Sequence, residues 1–73
     1  MKIDGSFVKD IDTNTLNRAM VGAINDIAHE LGKKTIAELV KSEAILEALM
    51  VLEVDLAQGF HLGKPQILET DNV

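Results

Sequence analysis

Cysteine is absent from this sequence of 73 residues, and proline occurs only once. Without cysteine the chain can form neither a disulfide nor a cysteine-based metal site, and such a composition fits a reducing cytoplasm. No run approaches the ~18 apolar residues of a membrane span, and the first residues lack the apolar core of a signal peptide. We therefore expect a cytoplasmic segment that makes no membrane contact, although other domains of a longer protein can still anchor it.

Basic residues are also few, and they form no block. The chain carries 12 acidic and 7 basic side chains, which gives a formal net charge of −5. Nucleic-acid binding depends on concentrated lysine and arginine, so a nucleic-acid polymer is a poor partner. Apolar residues make up 47% of the chain, which is typical of a folded domain. A domain of this size buries only about 60% of the surface of its unfolded chain, so we expect marginal stability.

The hydrophobic pattern predicts strands that alternate with helices. A short strand is predicted at Lys2, before a turn at Gly5 and Ser6. Asp12 and Thr13 are the predicted N-caps of a first long helix, in which apolar residues recur every three or four positions. Glycine 32 suits the left-handed position that follows a helix. The apolar stripe of this helix comprises Leu16, Met20, Ile24, Ile27, Ala28 and Leu31.

A second strand, a second helix and a third strand follow. Residues 35–40 are rich in β-branched and apolar side chains and predict a buried strand. Ser42 is a predicted helix cap, and residues 54–58 form the third predicted strand. This order implies an α/β fold with three parallel strands alternating with two helices and joined by right-handed crossovers. Residues 66–73 are predicted to be an irregular tail.

Three polar residues, Lys2, Glu38 and Gln58, occupy predicted strands or their ends. Functional residues gather at the C-terminal ends of parallel strands, so we expect these side chains to converge. In one interpretation Glu38 binds a divalent cation or activates a water while Lys2 neutralises a phosphoryl oxygen. In the other, they form an ordinary structural ion pair, which is the more common arrangement for such spacing. The two histidines give weaker signals, His29 on a helix surface and His61 in a loop.

Three segments match motifs of one known family. Residues 2–8 read Lys-Ile-Asp-Gly-Ser-Phe-Val, residues 37–40 read Ala-Glu-Leu-Val, and residues 58–65 read Gln-Gly-Phe-His-Leu-Gly-Lys-Pro. In that order they resemble the K-I-D-x-S-F-V, A-E-G-V-E and Q-G-Y-x-x-G-[RK]-P segments of EAL domains. The alternative is an unrelated small α/β module in which the three motifs align by chance.

The resemblance implies that residues 1–73 are the C-terminal part of an EAL domain, with the last three strands and two intervening helices of a TIM-like (β/α)8 barrel. EAL domains hydrolyse cyclic di-GMP to linear pGpG with Mg²⁺ or Mn²⁺. Lys2 matches the catalytic lysine that contacts the attacking water and the phosphate. Glu38 matches a glutamate at the metal and water centre, and Gln58 matches a supporting glutamine. The positions that would lie near the substrate are Phe60, Gly63 and Pro65.

Three residues depart from the family pattern. Leu39 stands where the motif has glycine, which puts the backbone shape at that strand end in question. Lys41 stands where a second glutamate is expected, and its positive charge would disturb a cation site. Glu53 replaces a usual helix-ending glycine.

Most of the family's metal ligands are missing from this segment, because the E-A-L signature and the other acidic motifs would lie upstream of Met1. Hydrolysis needs the whole constellation, so we expect the chain alone to be inactive and to hold no metal ion tightly. Three strands cut from a barrel also leave unpaired edges and a bare face. The alternative function is therefore a non-catalytic interaction or regulatory module that self-associates or pairs with another barrel piece.

Overall fold

Parallel strands and helices alternate along the chain. The computed structural model describes residues 1–59 and 66–68. The strands β1, β2 and β3 are parallel and neighbours in that order, which confirms the predicted three-stranded parallel arrangement with two long helices. One additional turn of helix, α1, stands where the sequence predicted a turn. The elements are β1 (Lys2–Ile3), α1 (Gly5–Val8), α2 (Thr15–Glu30), β2 (Ile36–Ala37), α3 (Glu43–Val51), β3 (Leu56–Ala57) and β4 (Gln66–Ile67).

The strand β4 contradicts the prediction of an irregular tail over residues 66–73. Gln66–Ile67 pair antiparallel with β3. The amide of Leu68 donates to the carbonyl of Asp55 at 2.8 Å, and the Leu68 side chain packs against the core. Two residues are too few to show an alternating pattern, so the pairing with the free edge of β3 leaves no signal in the sequence. Residues 69–73 lie outside the described part.

One row of side chains fixes the sheet against the helices. Ile3, Ala37 and Ala57 are aligned across the three parallel strands and are at most 1% exposed; we call them the buried row. Since side chains alternate between the two faces of a strand, the residues one step away lie on the opposite face. The core that includes the buried row consists of Ile3, Val8, Ile11, Val21, Ala37, Val40, Ile45, Ala48, Leu49, Val54 and Ala57.

The N-terminus of α2 is capped two residues later than the first predicted cap. Asn14, rather than Asp12 or Thr13, accepts a hydrogen bond from the amide of Asn17 at 2.9 Å. Asp10 accepts from the side-chain amides of Asn17 at 2.9 Å and Asn14 at 3.1 Å. These two hydrogen bonds lower the pKa of Asp10. The carboxylate therefore organises the cap, which the capping preferences of single residues do not reveal.

The predicted apolar stripe of α2 mostly faces away from the core. The buried residues of α2 are Val21, Asn25 and Ala28, of which only Ala28 belongs to the predicted stripe. At 100° per residue, this face lies about a quarter of a turn from the centre of the predicted one. Periodicity locates an apolar face but does not show that another element covers it. The stripe residues that are 37–69% exposed are Leu16, Met20, Ile27 and Leu31.

Both long helices end at a residue in the left-handed region. Gly32 has φ 73°, as predicted for the position after the helix. After α3 the same shape falls on Glu53, with φ 67°, at a cost of roughly 1–2 kcal/mol for a residue with a Cβ. The side-chain amide of Asn25 donates to the carbonyls of Leu52 at 2.9 Å and Glu53 at 3.2 Å. This buried amide helps to hold the turn that glycine would adopt freely.

A polar network ties the helix ends to the starts of β2 and β3. The Thr35 hydroxyl donates to Asn25 Oδ1 at 2.6 Å, and the Thr35 amide donates to Asp55 Oδ2 at 2.8 Å. His29 Nε2 lies 2.7 Å from the same carboxylate oxygen. Burial alone would raise the pKa of Asp55, but the hydrogen bonds from Thr35 and His29 outweigh it and lower that pKa. None of the helices in the described segments is long and apolar enough to cross a membrane.

Replacing Asp55 with asparagine should lower the free energy of unfolding at pH 7 by about 1.5 kcal/mol, because charge-assisted hydrogen bonds are lost. The carboxylate's contribution is present above its unfolded-state pKa of ~3.9 and is lost as the pH falls through its lower folded-state pKa. Urea denaturation of both proteins at several pH values measures this difference, which should shrink in acid. Asp26→Asn, at an exposed position of α2, is the control. A difference that does not change with pH would contradict the role assigned to Asp55.

Candidate functional site

Lys2, Glu38 and Gln58 lie on the face of the sheet opposite the buried row. Each lies one residue from a member of that row, so the alternation of a strand directs all three the same way. Glu38 and Gln58 immediately follow the ends of β2 and β3, and Asp4 follows β1 in the same relation. Sequence reasoning did not single out Asp4, although its position one residue past a strand end could have suggested it. In the register of the sheet Glu38 and Gln58 are level with Asp4, whereas Lys2 is level with Ile36 and Leu56, two residues earlier along the strands.

The lysine and glutamate of this face form a loose and accessible pair. Lys2 Nζ lies 3.8 Å from Glu38 Oε2, and the two side chains are 71% and 35% exposed. An ion pair with this exposure contributes between about 0 and 1 kcal/mol to stability. The pair is therefore a weak structural clamp, and a ligand can reach both charged groups at little cost in folding free energy.

The end of β3 holds the backbone that carries Glu38. The amide of Gln58 donates to the Ala37 carbonyl at 2.8 Å, and the Gln58 carbonyl accepts from the amide of Val40 at 3.0 Å. Gly59 lies directly against this backbone, since a Cβ there would come within 2.8 Å of Val40 N and C. Glycine at 59 is thus required for the close approach of the two strand ends.

Leu39, which stands at the position of the motif's glycine, has a backbone shape that glycine adopts more readily. Its φ is 61°, in the left-handed region where residues with a Cβ are strained. The Leu39 side chain occupies the space beside Gly5, where a Cβ would come within 2.8 Å of Leu39 Cβ. Gly5 begins α1 directly after the end of β1, so this contact links the two strand ends that carry Lys2 and Glu38. Because glycine has no Cβ, the Leu39 side chain fits beside Gly5.

Glu38 is the one carboxylate among the predicted site residues. Its carboxylate oxygens suit hard cations such as Mg²⁺ and Mn²⁺. Asp4 Oδ1 already accepts from the Ser6 amide at 3.3 Å as the cap of α1. Within residues 1–59 and 66–68, no group of three or more His, Cys, Asp or Glu side chains is arranged to hold a metal ion. Glu38 therefore suits the role of a single ligand of Mg²⁺ or Mn²⁺.

The remaining candidates fall elsewhere. His29 contacts Asp55 near the starts of the strands, so it does not approach the face that carries Glu38. Lys41 is exposed between the buried Val40 and α3. The predicted substrate-proximal residues lie outside the described residues, as does His61; they are Phe60, Gly63 and Pro65.

Comparison with known proteins identifies the family. The sequence model of the EAL domain family matches residues 1–65. The chain belongs to the EAL domain family. The cyclic di-GMP phosphodiesterases PdeB of Shewanella oneidensis and PdeF of Escherichia coli are 38% and 41% identical to it over 68 residues. Each match covers 93% of this chain but only 8% and 9% of the relative, so the chain spans less than a tenth of the length of either protein.

Solved EAL structures have the same fold in this region. The EAL domain of FimX from Pseudomonas aeruginosa, bound to cyclic di-GMP, matches 96% of this chain with a TM-score of 0.78 and 31% identity. The PaMucR phosphodiesterase in its cyclic di-GMP complex matches 90% with a TM-score of 0.78 and 36% identity. The chain covers 28% and 27% of those two structures. The predicted fold class, part of a TIM-barrel-like EAL domain, is confirmed.

The contact between Gly5 and Leu39 can be tested by a size exchange. Gly5→Ala should lower the free energy of unfolding by about 1–3 kcal/mol, because the new methyl group overlaps the Leu39 side chain. Adding Leu39→Gly should recover much of that loss, since it removes the Cβ of residue 39 together with the rest of the side chain. Chemical denaturation of the two single variants and the double variant gives the coupling energy. Additive effects would show that the two residues do not compete for this space.

Proposed function

We propose that this chain supplies one part of the catalytic face of an EAL phosphodiesterase that hydrolyses cyclic di-GMP to pGpG in the cytoplasm. The observation that carries the proposal is the placement of Lys2, Glu38 and Gln58 on one face of the sheet, where Lys2 Nζ lies 3.8 Å from Glu38 Oε2 and Glu38 and Gln58 follow the ends of adjacent strands. Their residue types match the EAL motifs in which they stand. In a complete domain we assign catalytic roles to Lys2 and Glu38 and a supporting role to Gln58.

The roles follow from the charges and exposure of the groups. The Lys2 ammonium, which is largely exposed, can neutralise a phosphoryl oxygen as negative charge develops there. The Glu38 carboxylate can hold a divalent cation and orient the water whose oxygen attacks phosphorus. A bound Mg²⁺ or Mn²⁺ would supply Lewis-acid stabilisation of the phosphoryl group. In the balanced reaction one water is consumed, one phosphodiester P–O bond is broken, and the leaving ribose oxygen receives a proton.

The chain alone is proposed to be inactive. Glu38 is one carboxylate, and Mg²⁺ usually takes further oxygen ligands from protein, water and substrate phosphates. The described residues contain no cluster that would hold the ion without help from other parts of a domain. Positioning a water, a cation and a phosphate together therefore requires the rest of the barrel.

A chimera tests the proposed catalytic roles. Residues 1–65 would replace the matching segment of the PaMucR phosphodiesterase, and cyclic di-GMP turnover would be followed by chromatography of pGpG. We expect a hydrolytic chimera in which Lys2→Met or Glu38→Gln lowers kcat by about 10²-fold or more. Lys33→Met, exposed at the other ends of the strands, is the matched control. A folded chimera without activity, or turnover by the 73-residue chain alone, would overturn the respective part of the proposal.

Lys41 is proposed to weaken the cation site. In the same chimera, Lys41→Glu should tighten Mn²⁺ binding by about tenfold, because a nearby positive charge becomes a negative one. Lys33→Glu makes the same charge change far from Glu38 and should have a much smaller effect. Titration calorimetry with Mn²⁺ measures both. Equal effects of the two variants would indicate only a change in net charge, and no effect would exclude Lys41 as a cause of low activity.

A second candidate function is a non-catalytic interaction module, which the sequence analysis also predicted. The exposed apolar side chains of α2 favour it, since they form a continuous stripe rather than scattered positions. Self-association and pairing with another barrel piece are the two forms that such a module could take.

A further inference from the structure

Leu39 stands at the bend where the chain leaves β2, directly after Glu38. The Glu38 amide donates to the Ile3 carbonyl of β1 at 3.3 Å. The Val40 amide donates to the Gln58 carbonyl, at the end of β3, at 3.0 Å. Across this one residue the chain therefore passes from a hydrogen bond with one neighbouring strand to a hydrogen bond with the other. Because both sides of the bend are held, the sheet fixes the place of Leu39 beside Glu38.

Folding alone gives little reason for a leucine at this bend. Its φ of 61° lies in the left-handed region, which glycine adopts without strain. Leu39 is also 54% exposed, whereas the nearby Ala37 and Val40 are at most 3% exposed. A strained backbone and an apolar side chain left partly in water both cost free energy. Strained residues cluster at ligand-binding and active sites, so this leucine indicates a role in binding.

The exposed part of Leu39 borders the charged pair formed by Lys2 and Glu38. Leu39 Cγ and Cδ1 lie against Gly5, which is two residues past the end of β1. The side chain therefore extends from the end of β2 toward the end of β1. These are the two strands whose charged side chains, Lys2 and Glu38, approach to 3.8 Å. A phosphodiester held by the two charged groups would have an apolar surface next to it.

We propose that Leu39 is a specificity-determining residue that packs against a nucleobase of the bound ligand. The ammonium of Lys2 and a cation at Glu38 attract any phosphodiester, because they recognise only the charge of the phosphate. A base next to that phosphate has apolar faces, and packing one of them on Leu39 removes apolar surface of both groups from water. Leu39 thus favours nucleotides over small phosphodiesters. The inference rests on the cyclic di-GMP phosphodiesterase function proposed above.

The contact is a feature of this chain, because the glycine of the family motif has no side chain that could make it. Two other roles for Leu39 would give different results. A leucine that obstructs the site would make a smaller residue bind the ligand more tightly. A leucine that only tethers β2 to Gly5 would change the placement of Glu38, and therefore kcat rather than affinity.

Substitutions that are compatible with the backbone shape separate these roles. In the chimera of residues 1–65 with the PaMucR phosphodiesterase, Leu39→Asn should weaken cyclic di-GMP binding about five- to tenfold, as for losing the contact of half a leucine side chain. Asparagine tolerates the left-handed region, so the fold is kept. Leu39→Met conserves volume and apolarity and should bind within about twofold of the unsubstituted chimera. Leu31→Asn, at a residue 62% exposed after α2, is the matched control and should have no effect.

Binding and turnover are measured separately. Titration calorimetry without divalent cations gives the dissociation constant for cyclic di-GMP, and steady-state kinetics with Mn²⁺ gives KM and kcat. We expect Leu39→Asn to raise the dissociation constant and KM while kcat stays within about twofold. Inhibition by dimethyl phosphate, which has no base, should be the same in every variant.

The outcomes distinguish the contact from the catalytic roles. Equal binding by all variants, tighter binding by Leu39→Asn, or a loss confined to kcat would overturn the contact and leave the phosphodiesterase function standing. A chimera that binds cyclic di-GMP with the expected dependence on residue 39 but does not hydrolyse it would support the contact and overturn the proposed catalysis. A folded chimera that neither binds nor hydrolyses cyclic di-GMP would overturn both.

Discussion

The register of the three parallel strands is the constraint on which the fold and the site depend. Ile3, Ala37 and Ala57 can be buried together only when they are aligned, and a slip of one residue would turn each strand over. The two alanines leave room for helices to lie close above the sheet. Because the buried row faces the core, the residues next to it in each strand must lie on the opposite face of the sheet. Packing on one side of the sheet thus determines which polar side chains meet on the other.

The polar side chains at the two ends of the strands differ in how tightly they are held. At their starts, Thr35 and Asp55 form a compact network with Asn25. The buried side-chain nitrogen and oxygen atoms of the described residues all have hydrogen-bond partners. Toward their ends, Glu38 forms only a loose pair with Lys2 of the neighbouring strand. Such a division is typical of barrel-type α/β folds, in which one end of the strands stabilises and the other binds. The pKa shift of Asp55 accordingly belongs to stability rather than chemistry.

Sequence patterns predicted the strands and the long helices, because these depend on local periodicity. The roles of the site residues come from motifs and stay predictions. The strand at Gln66–Ile67 escaped prediction because its stability comes from pairing with a distant edge. The cap at Asn14 depends on the carboxylate of Asp10, which no single-residue preference includes. The prediction of which face of α2 is buried was wrong for a related reason. Its apolar residues cover more than one face, and only the three-dimensional arrangement shows which face the core uses.

The contact between Leu39 and Gly5 constrains the order in which substitutions at these two positions can occur. Alanine or a larger residue at position 5 would collide with Leu39, whereas glycine at position 39 would leave position 5 unconstrained from that side. A lineage that passes from the family's glycine to leucine at 39 must therefore already carry glycine at 5. Once leucine is in place, position 5 loses its freedom to vary. Leucine at position 39 therefore restricts position 5 to glycine, which glycine at position 39 would not do.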